Sequence, residues 1–461
     1  MGLPAESMED DLKHRLLDSI EANRLVIFCG AGLSMAAPSN LPSATALAIE
    51  CAEKYEVRHG PTFSQDVKKD LERLAEYFKI RDALYSTFIS GLIPRRRFIR
   101  DPNAGHIAAA DFLTSGVVEC LISTNVDVLI EEAAKKLGEP HYQGDIDGNE
   151  ASTVRDRKPH LKIHGCLDRD DKNTLWCRSQ LKSGPLKTRH QQFKAWLSAN
   201  LKERDLVFVG FWSDWSYLND IFQDALGGID KGLVVIVNPS DEALLESKAP
   251  KLWSWSGSAN VTRFVVNQSA DTFLVELRTA FWKAFIERLH RESLSAYVGL
   301  TGRHLAAPPS LPAIVSCEDL YLLHLDACGV PRGEVARQKR PVDSMGVLGA
   351  VQIGLLSKGA QLEGNHYLLN GSHIRVVNGQ GRLLSAVRKR YQEEPVDFTK
   401  ADTTICVGAK DDGGVPPDIV RTAANIPTIV RPASSRDWLT EDYAKHLWAG
   451  DGDHDVITAT G

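Results

Sequence analysis

The segment Arg24-Leu-Val-Ile-Phe-Cys-Gly-Ala-Gly-Leu-Ser34 constrains the fold of this chain more than any other, because an apolar strand runs straight into a turn of small residues. Gly30 and Gly32 lack a Cβ, so the backbone there tolerates unusual angles and close approach by another group, a pyrophosphate among them. Taken alone the turn reads equally as a structural element, since Met35 stands where the ordinary dinucleotide fingerprint has its third glycine. Four later apolar runs end in comparable polar groups. Thr124-Asn125-Val126-Asp127 follows Val117–Ile122, and Lys162-Ile163-His164-Gly165 follows a short run from His160. Gly210 ends Leu206–Val209, and Asn238 ends Leu233–Val237. In an open parallel sheet, ligands sit beyond the carboxyl ends of the strands, so five such ends line one crevice.

The chain has 461 residues, enough for two or three domains. Its 54 Lys+Arg against 60 Asp+Glu give a net charge of −6, which supplies no general pull toward nucleic acid or an anionic membrane. The eight cysteines are scattered, several inside apolar runs such as Ile27-Phe28-Cys29, and read as reduced, mostly buried thiols. No basic-then-apolar leader opens the chain and no apolar run approaches a membrane span, so a cytoplasmic location is expected.

The predicted architecture is α/β: a Rossmann-like parallel sheet with a helical insertion, followed by a smaller C-terminal α/β or α+β domain. Asp10–Asn23 reads as an opening helix, and residues 43–100 as an inserted helical layer in which Val67, Leu71, Leu74, Ala75 and Phe78 form an apolar stripe. The Arg95-Arg96-Arg97 triplet reads as solvated surface and is assigned no role. Val261–Val266 supplies another strand, and Ala270–Leu294 a closing helix. The first domain is therefore expected over 1–297, a proline-rich linker over 298–315 and a second domain over 316–461. Within the latter, Tyr367-Leu-Leu, Asn370-Gly371 and His373–Val377 predict a hairpin with a type I′ turn. Thr404–Val407, Asp418–Ala424 and Thr428–Val430 predict a small βαβ unit, and the tail from Asp451 a polar extension.

In order and spacing, the motifs between Asn23 and Leu294 resemble those of the sirtuin family, taken broadly to include bacterial NAD-consuming members. Gly30-Ala31-Gly32-Leu33-Ser34 looks like its opening phosphate turn, Asn103-Ala-Gly-His106 like its Asn-x-x-His helix start, and Thr124-Asn125-Val-Asp127 like its nicotinamide-ribose motif. Lys162-Ile-His164-Gly165 is similar to the stretch carrying the family's catalytic histidine. Gly210, Ser213-Asp214 and Asn238 match its adenosine-ribose positions. The resemblance implies NAD as substrate, with Asn125 orienting the water or a ribose hydroxyl, Asp127 holding the nicotinamide amide or the ribose, and His164 as general base. Read from the residues alone, Asn125 and Asp127 serve equally well as helix caps, and His164 as a satisfied half-buried imidazole.

Departures from the protein-deacylating members narrow the implied chemistry. Those enzymes carry two Cys-x-x-Cys pairs around a structural zinc, whereas only Cys166 and Cys177 lie in the matching region, so no zinc is expected. Their Phe-Gly-Glu peptide-pairing segment is replaced by Leu181–His190, and their Asp-Phe-Arg cofactor loop by Pro42-Ser43-Ala44. The implied function is an NAD glycohydrolase releasing nicotinamide and ADP-ribose, of the kind used in regulated anti-phage NAD depletion. The alternatives are a non-catalytic NAD-binding scaffold subunit, or a protein ADP-ribosyltransferase or deacylase. Residues 316–461 are then the candidate regulatory or assembly domain. The Val407–Gly414 loop reads either as a nucleotide-signal cradle or as a surface loop without a ligand. A homo-oligomer is expected, with an ATPase or nuclease as possible partner and with neither membrane nor direct nucleic-acid binding.

Overall fold

The computed structural model describes residues 8–155, 157–226, 232–258, 260–312, 315–394, 401–411, 437–442 and 445. Its contacts divide the chain into two units, Met1–Arg278 and Thr279–Gly461, with the division falling inside the helix Ala270–Glu292.

The first unit is built on six strands, β1 (Leu25–Cys29), β2 (Cys120–Ser123), β3 (His160–Lys162), β4 (Asp205–Val209), β5 (Gly232–Val237) and β6 (Val261–Val266). They lie in the order β3-β2-β1-β4-β5-β6, and every pairing is parallel. This order places a topological switch point between β1 and β4, where a doubly wound sheet opens a ligand crevice. Both faces of the sheet are covered, which is why the central strands read as unbroken apolar runs. On one face Val26, Phe28, Ile122, Leu206, Phe208 and Ile236 pack against Phe193, Trp196 and Phe222 of the helices Gly184–Asn200 and Ser216–Leu226. The alternate side chains Leu25, Ile27 and Cys29 are equally buried, and the helices Asp10–Glu21 and Ala104–Thr114 pack against β1 and β2.

Between β1 and β2 lies the inserted helical layer. Ser43 caps Ala44–His59 by accepting from the Ala46 N–H, and Asp70 caps Leu71–Lys79 by accepting from the Arg73 N–H. Leu84–Leu92, expected as ordinary helix, is wound as a π-helix, a form rare enough to carry no sequence signature. Arg95 pairs with Asp171 in the segment after β3 and Arg97 with Glu50 of Ala44–His59, so two members of the basic triplet carry ion-pair partners. The core of the layer reaches Val126, Leu129, Leu167 and Cys177, fixing loops that follow β2 and β3.

The second unit holds a five-stranded sheet in the order β11-β10-β9-β8-β7, formed by β7 (Gln361–Glu363), β8 (His366–Leu369), β9 (Ser372–Asn378), β10 (Thr403–Val407) and β11 (Asp437–Thr440). The antiparallel β8–β9 hairpin turns at Asn370 and Gly371 with φ of 51° and 83°, as a type I′ turn requires. β9–β10 and β10–β11 are parallel, so the sheet is mixed. The expected segments Asp418–Ala424 and Thr428–Val430, and the tail from Asp451, lie outside the described residues. A buried ionic cluster sits in this unit: the Arg375 guanidinium bonds both carboxylates of Asp326 and Glu394, and all three side chains are buried.

Candidate functional site

At the carboxyl ends of β1 and β4 the backbone itself is the first element of the site. The Gly30 N–H donates to the Val209 carbonyl at 3.0 Å, and the Gly32 N–H donates to the Gly210 carbonyl at 2.9 Å. A Cβ on Gly30 would lie 2.6 Å from the Gly210 oxygen, and one on Gly32 2.7 Å from the Gly210 Cα. Gly210 has φ +63°, the left-handed region where glycine alone is unstrained. The glycines are thus demanded by the neighbouring loop before any ligand is considered. What the turn leaves for a ligand is the N–H of the exposed Ala31, which has no protein acceptor among the described residues. Ala31–Ser34 is a single 3-10 turn rather than the start of a long helix, because Pro38 and Pro42 follow closely and cannot donate to a helical ladder.

Ser34 is the hub of a buried polar cluster. Its Oγ donates to Asp127 Oδ2 at 2.9 Å, accepts from Asn125 Nδ2 at 3.1 Å and lies 3.1 Å from His106 Nε2. The motif Asn103-x-x-His106 explains the histidine: Asn103 Oδ1 caps the following helix by accepting from the His106 N–H, while His106 Nδ1 accepts from the Asn103 N–H. With Nδ1 an acceptor, the neutral ring carries its proton on Nε2 and donates to Ser34. Burial holds that ring neutral by pushing its pKa down to about 4. Ser34 therefore receives two hydrogen bonds and passes its own proton to Asp127. The other Asp127 oxygen accepts from the Leu129 N–H at 3.1 Å, holding the start of the helix Leu129–Lys136. Asn125 Oδ1 is left without a protein partner among the described residues.

β2 and β3 run side by side, and the loops beyond them stay together: the Ile163 N–H donates to the Ser123 carbonyl and the Leu167 N–H to the Val126 carbonyl, both at 3.0 Å. His164 consequently lies beside Thr124, whose backbone carbonyl takes a hydrogen bond from its ring. Thr124 itself bonds back to the Cys29 carbonyl. The remaining nitrogen, His164 Nε2, is 2.9 Å from the Tyr217 hydroxyl, and Trp215 stacks over the imidazole with centroids 4.3 Å apart. A cavity of about 40 Å³ adjoins the ring, lined by Glu72, Leu175, Trp176, Arg178, Trp215 and Tyr217 among others.

The expected adenosine positions lie along the other half of the sheet. Asn238 stands at the end of β5, its Oδ1 accepting from the Ser240 N–H. Ser213 is half-buried in the loop after Gly210. The Asp214 carboxylate is engaged by the chain itself, accepting from the Lys251 and Leu252 N–H groups and from Asn219 Nδ2. It caps the helix Pro250–Ser256 and braces this loop, a use that its place in the sequence does not reveal.

Residues 119–260 match the family model of the SIR2-like domain. The fold of the chain is also similar to solved structures. One is a Sir2 homolog–NAD complex, with 17% identity covering 60% of this chain and 94% of that one at a TM-score of 0.34. Another is a mutant Sir2 homologue with 2′-O-acetyl ADP ribose, with 17% identity covering 59% and 95% at a TM-score of 0.33. No curated protein matches the chain.

The family-model match begins at β2, so the Gly30–Ser34 turn joins the site through the sheet and the Ser34 bonds rather than through that match. Beneath the Asn125–Asp127 loop, the buried Lys162 ammonium bonds Glu131 at 2.7 Å and the Asp127 carbonyl. Burial opposes both charges. Even so, Glu131 and its neighbours hold the lysine above its usual pKa, and Lys162 holds Glu131 below the usual carboxylate value. Lys162 was visible in the motif, but only the fold shows it clamping that loop to the helix Leu129–Lys136. Cys166 and Cys177 are both buried, and burial pushes the Cys177 thiol up to about 12. Among the described residues no group of three or more His, Cys, Asp or Glu side chains is arranged to hold a metal ion. No helix of the described chain is long and apolar enough to cross a membrane.

Three buried imidazoles make the domain's stability depend on pH. Burial pushes His164 and His160 down to about 3 and His106 to about 4, against about 6.5 for an exposed ring. In the resting fold each ring stays neutral at these pH values and gains its proton from solvent on unfolding, so stability is full above about pH 6.5 and falls on acidification toward pH 3–4. The slope is up to about 1.4 kcal/mol per pH unit for each ring. Neither His160 nitrogen has a hydrogen-bond partner among the described residues. The expected result is that urea unfolding at pH 7, 6 and 5 shows this decline and that His160→Phe makes it shallower. Equal stability at all three pH values would contradict the burial argument.

Proposed function

We propose that the SIR2-like unit is an NAD glycohydrolase, releasing nicotinamide and ADP-ribose with water as acceptor. The observation that carries this reading is the small cavity beside His164. At about 40 Å³ it accommodates a few water molecules beside the ring, which suits water as the acceptor. The remainder of the site suits the dinucleotide. The Ala31 N–H offers a donor to the pyrophosphate at the β1–β4 switch point, Ser213 and Asn238 stand toward the adenosine, and Asn125 and Asp127 toward the nicotinamide ribose. As the neutral nicotinamide leaves, positive charge grows on the ribose carbon, and the Asn125 Oδ1 and Asp127 oxygens are the negative ends available to stabilise it.

An enzyme of this kind depletes a central metabolite and so needs control, which gives the second unit its role as regulatory or assembly domain in an anti-phage effector that works as an oligomer. Incubating the purified full chain with NAD and following free nicotinamide tests the activity. Release stoichiometric with ADP-ribose supports it; tight NAD binding without release favours instead a scaffold subunit, a reading supported by the hydroxyl already bonded to His164 Nε2. Labelled ADP-ribose attached to protein would redirect the assignment to transfer.

A further inference from the structure

His164 is not an exposed base. One side of its ring bonds the Thr124 carbonyl, the face is covered by Trp215, and the only other nitrogen meets a hydroxyl. Since the ring donates toward Thr124, Nε2 is the acceptor in the 2.9 Å contact and the Tyr217 O–H is the donor. A water in the adjoining cavity therefore meets Tyr217, which lines that cavity together with His164. Tyr217 is itself held in place, stacked on Trp215 at 5.7 Å and edge-on to His190 at 4.9 Å. Burial keeps its hydroxyl protonated, well above the usual tyrosine value.

Resting on the hydrolase reading, we propose that Tyr217 is a proton relay between the attacking water and His164. The water oxygen forms its bond to the ribose carbon as the carbon–nicotinamide bond breaks, its electron pair leaving with the nicotinamide. The water proton passes to the Tyr217 oxygen while the Tyr217 proton passes to His164 Nε2, leaving a neutral tyrosine and an imidazolium. One proton then returns to solvent, which balances NAD⁺ and water against nicotinamide, ADP-ribose and H⁺. Trp215 and the Thr124 carbonyl are the positioning groups, fixing the ring so that Nε2 faces the tyrosine.

The test uses the full chain and Tyr217→Phe, which keeps the ring and its stacking. The relay predicts that kcat for nicotinamide release falls about 10- to 100-fold with KM changed less than about twofold. In mixtures of H2O and D2O, the wild-type rate curves against deuterium fraction as two moving protons require, and the variant rate becomes linear. Azide, a nucleophile with no proton to lose, restores nicotinamide release in Tyr217→Phe, which a merely misfolded site would not permit. A variant as fast as or faster than wild type, with the curvature intact, overturns the relay and leaves Tyr217 as a cover on His164. Wild-type chain that binds NAD and releases no nicotinamide overturns the hydrolase reading instead, and the relay with it.

Discussion

Asn125→Ala is expected to lower nicotinamide release about 10²–10³-fold, the loss typical when one oriented dipole is removed from a site of developing charge. Two effects combine. The substitution removes the Oδ1 that has no partner among the described residues, and it removes the Nδ2 donor to Ser34. Ser34 still receives the His106 bond and still donates to Asp127, so the cluster keeps two of its three links and the domain stays folded. NAD binding by calorimetry should therefore weaken far less than kcat. Wild-type turnover in Asn125→Ala would remove this loop from the chemistry, whatever its role in binding.

Arg375→Ala is expected to cost the second unit about 3–5 kcal/mol, because Asp326 and Glu394 are then left as buried carboxylates with no cation between them. Even in the intact cluster burial outweighs the pull of Arg375 and lifts Asp326 to about 6. Without the guanidinium the lowering pull on Asp326 is gone and its carboxyl takes up a proton more readily, so the loss should be greater at pH 8 than at pH 5. Denaturant unfolding at the two pH values measures this directly. Replacing all three residues by apolar side chains of similar volume should recover most of the lost stability, since a buried ion pair is offset by its own desolvation. An Arg375→Ala protein as stable as wild type at pH 8 would show that the three charges are not closed off from water.

The parts of this fold that were legible in the sequence are those where local pattern and tertiary role coincide. β1, β4 and β5 sit between two covered faces, so their need for apolar side chains at every position is written as a run. The β8–β9 turn was legible because Asn370-Gly371 has little else to do. β3 is only three residues, and it was found through the His164 motif rather than through its own hydrophobicity. β11 carries no such pattern: Asp437-Trp-Leu-Thr has two apolar residues, and its strand character comes from pairing with β10.

The candidate site divides in the same way. Asn103, His106 and Asp127 carry a readable signal, since each also serves its own backbone as a cap or turn, whereas the Asn125 side chain bonds only the distant Ser34 among the described residues. The company of His164 carried none. Trp215 and Tyr217 follow Ser213-Asp214 as ordinary aromatic residues, and only the crossing of the β4 loop over the β3 loop brings them to the imidazole. The Asp214 carboxylate, expected at the adenosine ribose, is engaged by the N-terminal N–H groups of the helix Pro250–Ser256.

The interlock of Gly30, Gly32 and Gly210 bears on how such chains are recognised. Because the two loops touch through bare backbone, a side chain at any of these positions disturbs the join whether or not a dinucleotide is ever bound. A descendant that had lost its chemistry and survived as a pseudoenzyme would thus retain all three. The small-residue signature testifies to ancestry and architecture, while the side chains at 125, 164 and 217 are where a working copy and a retired one would part.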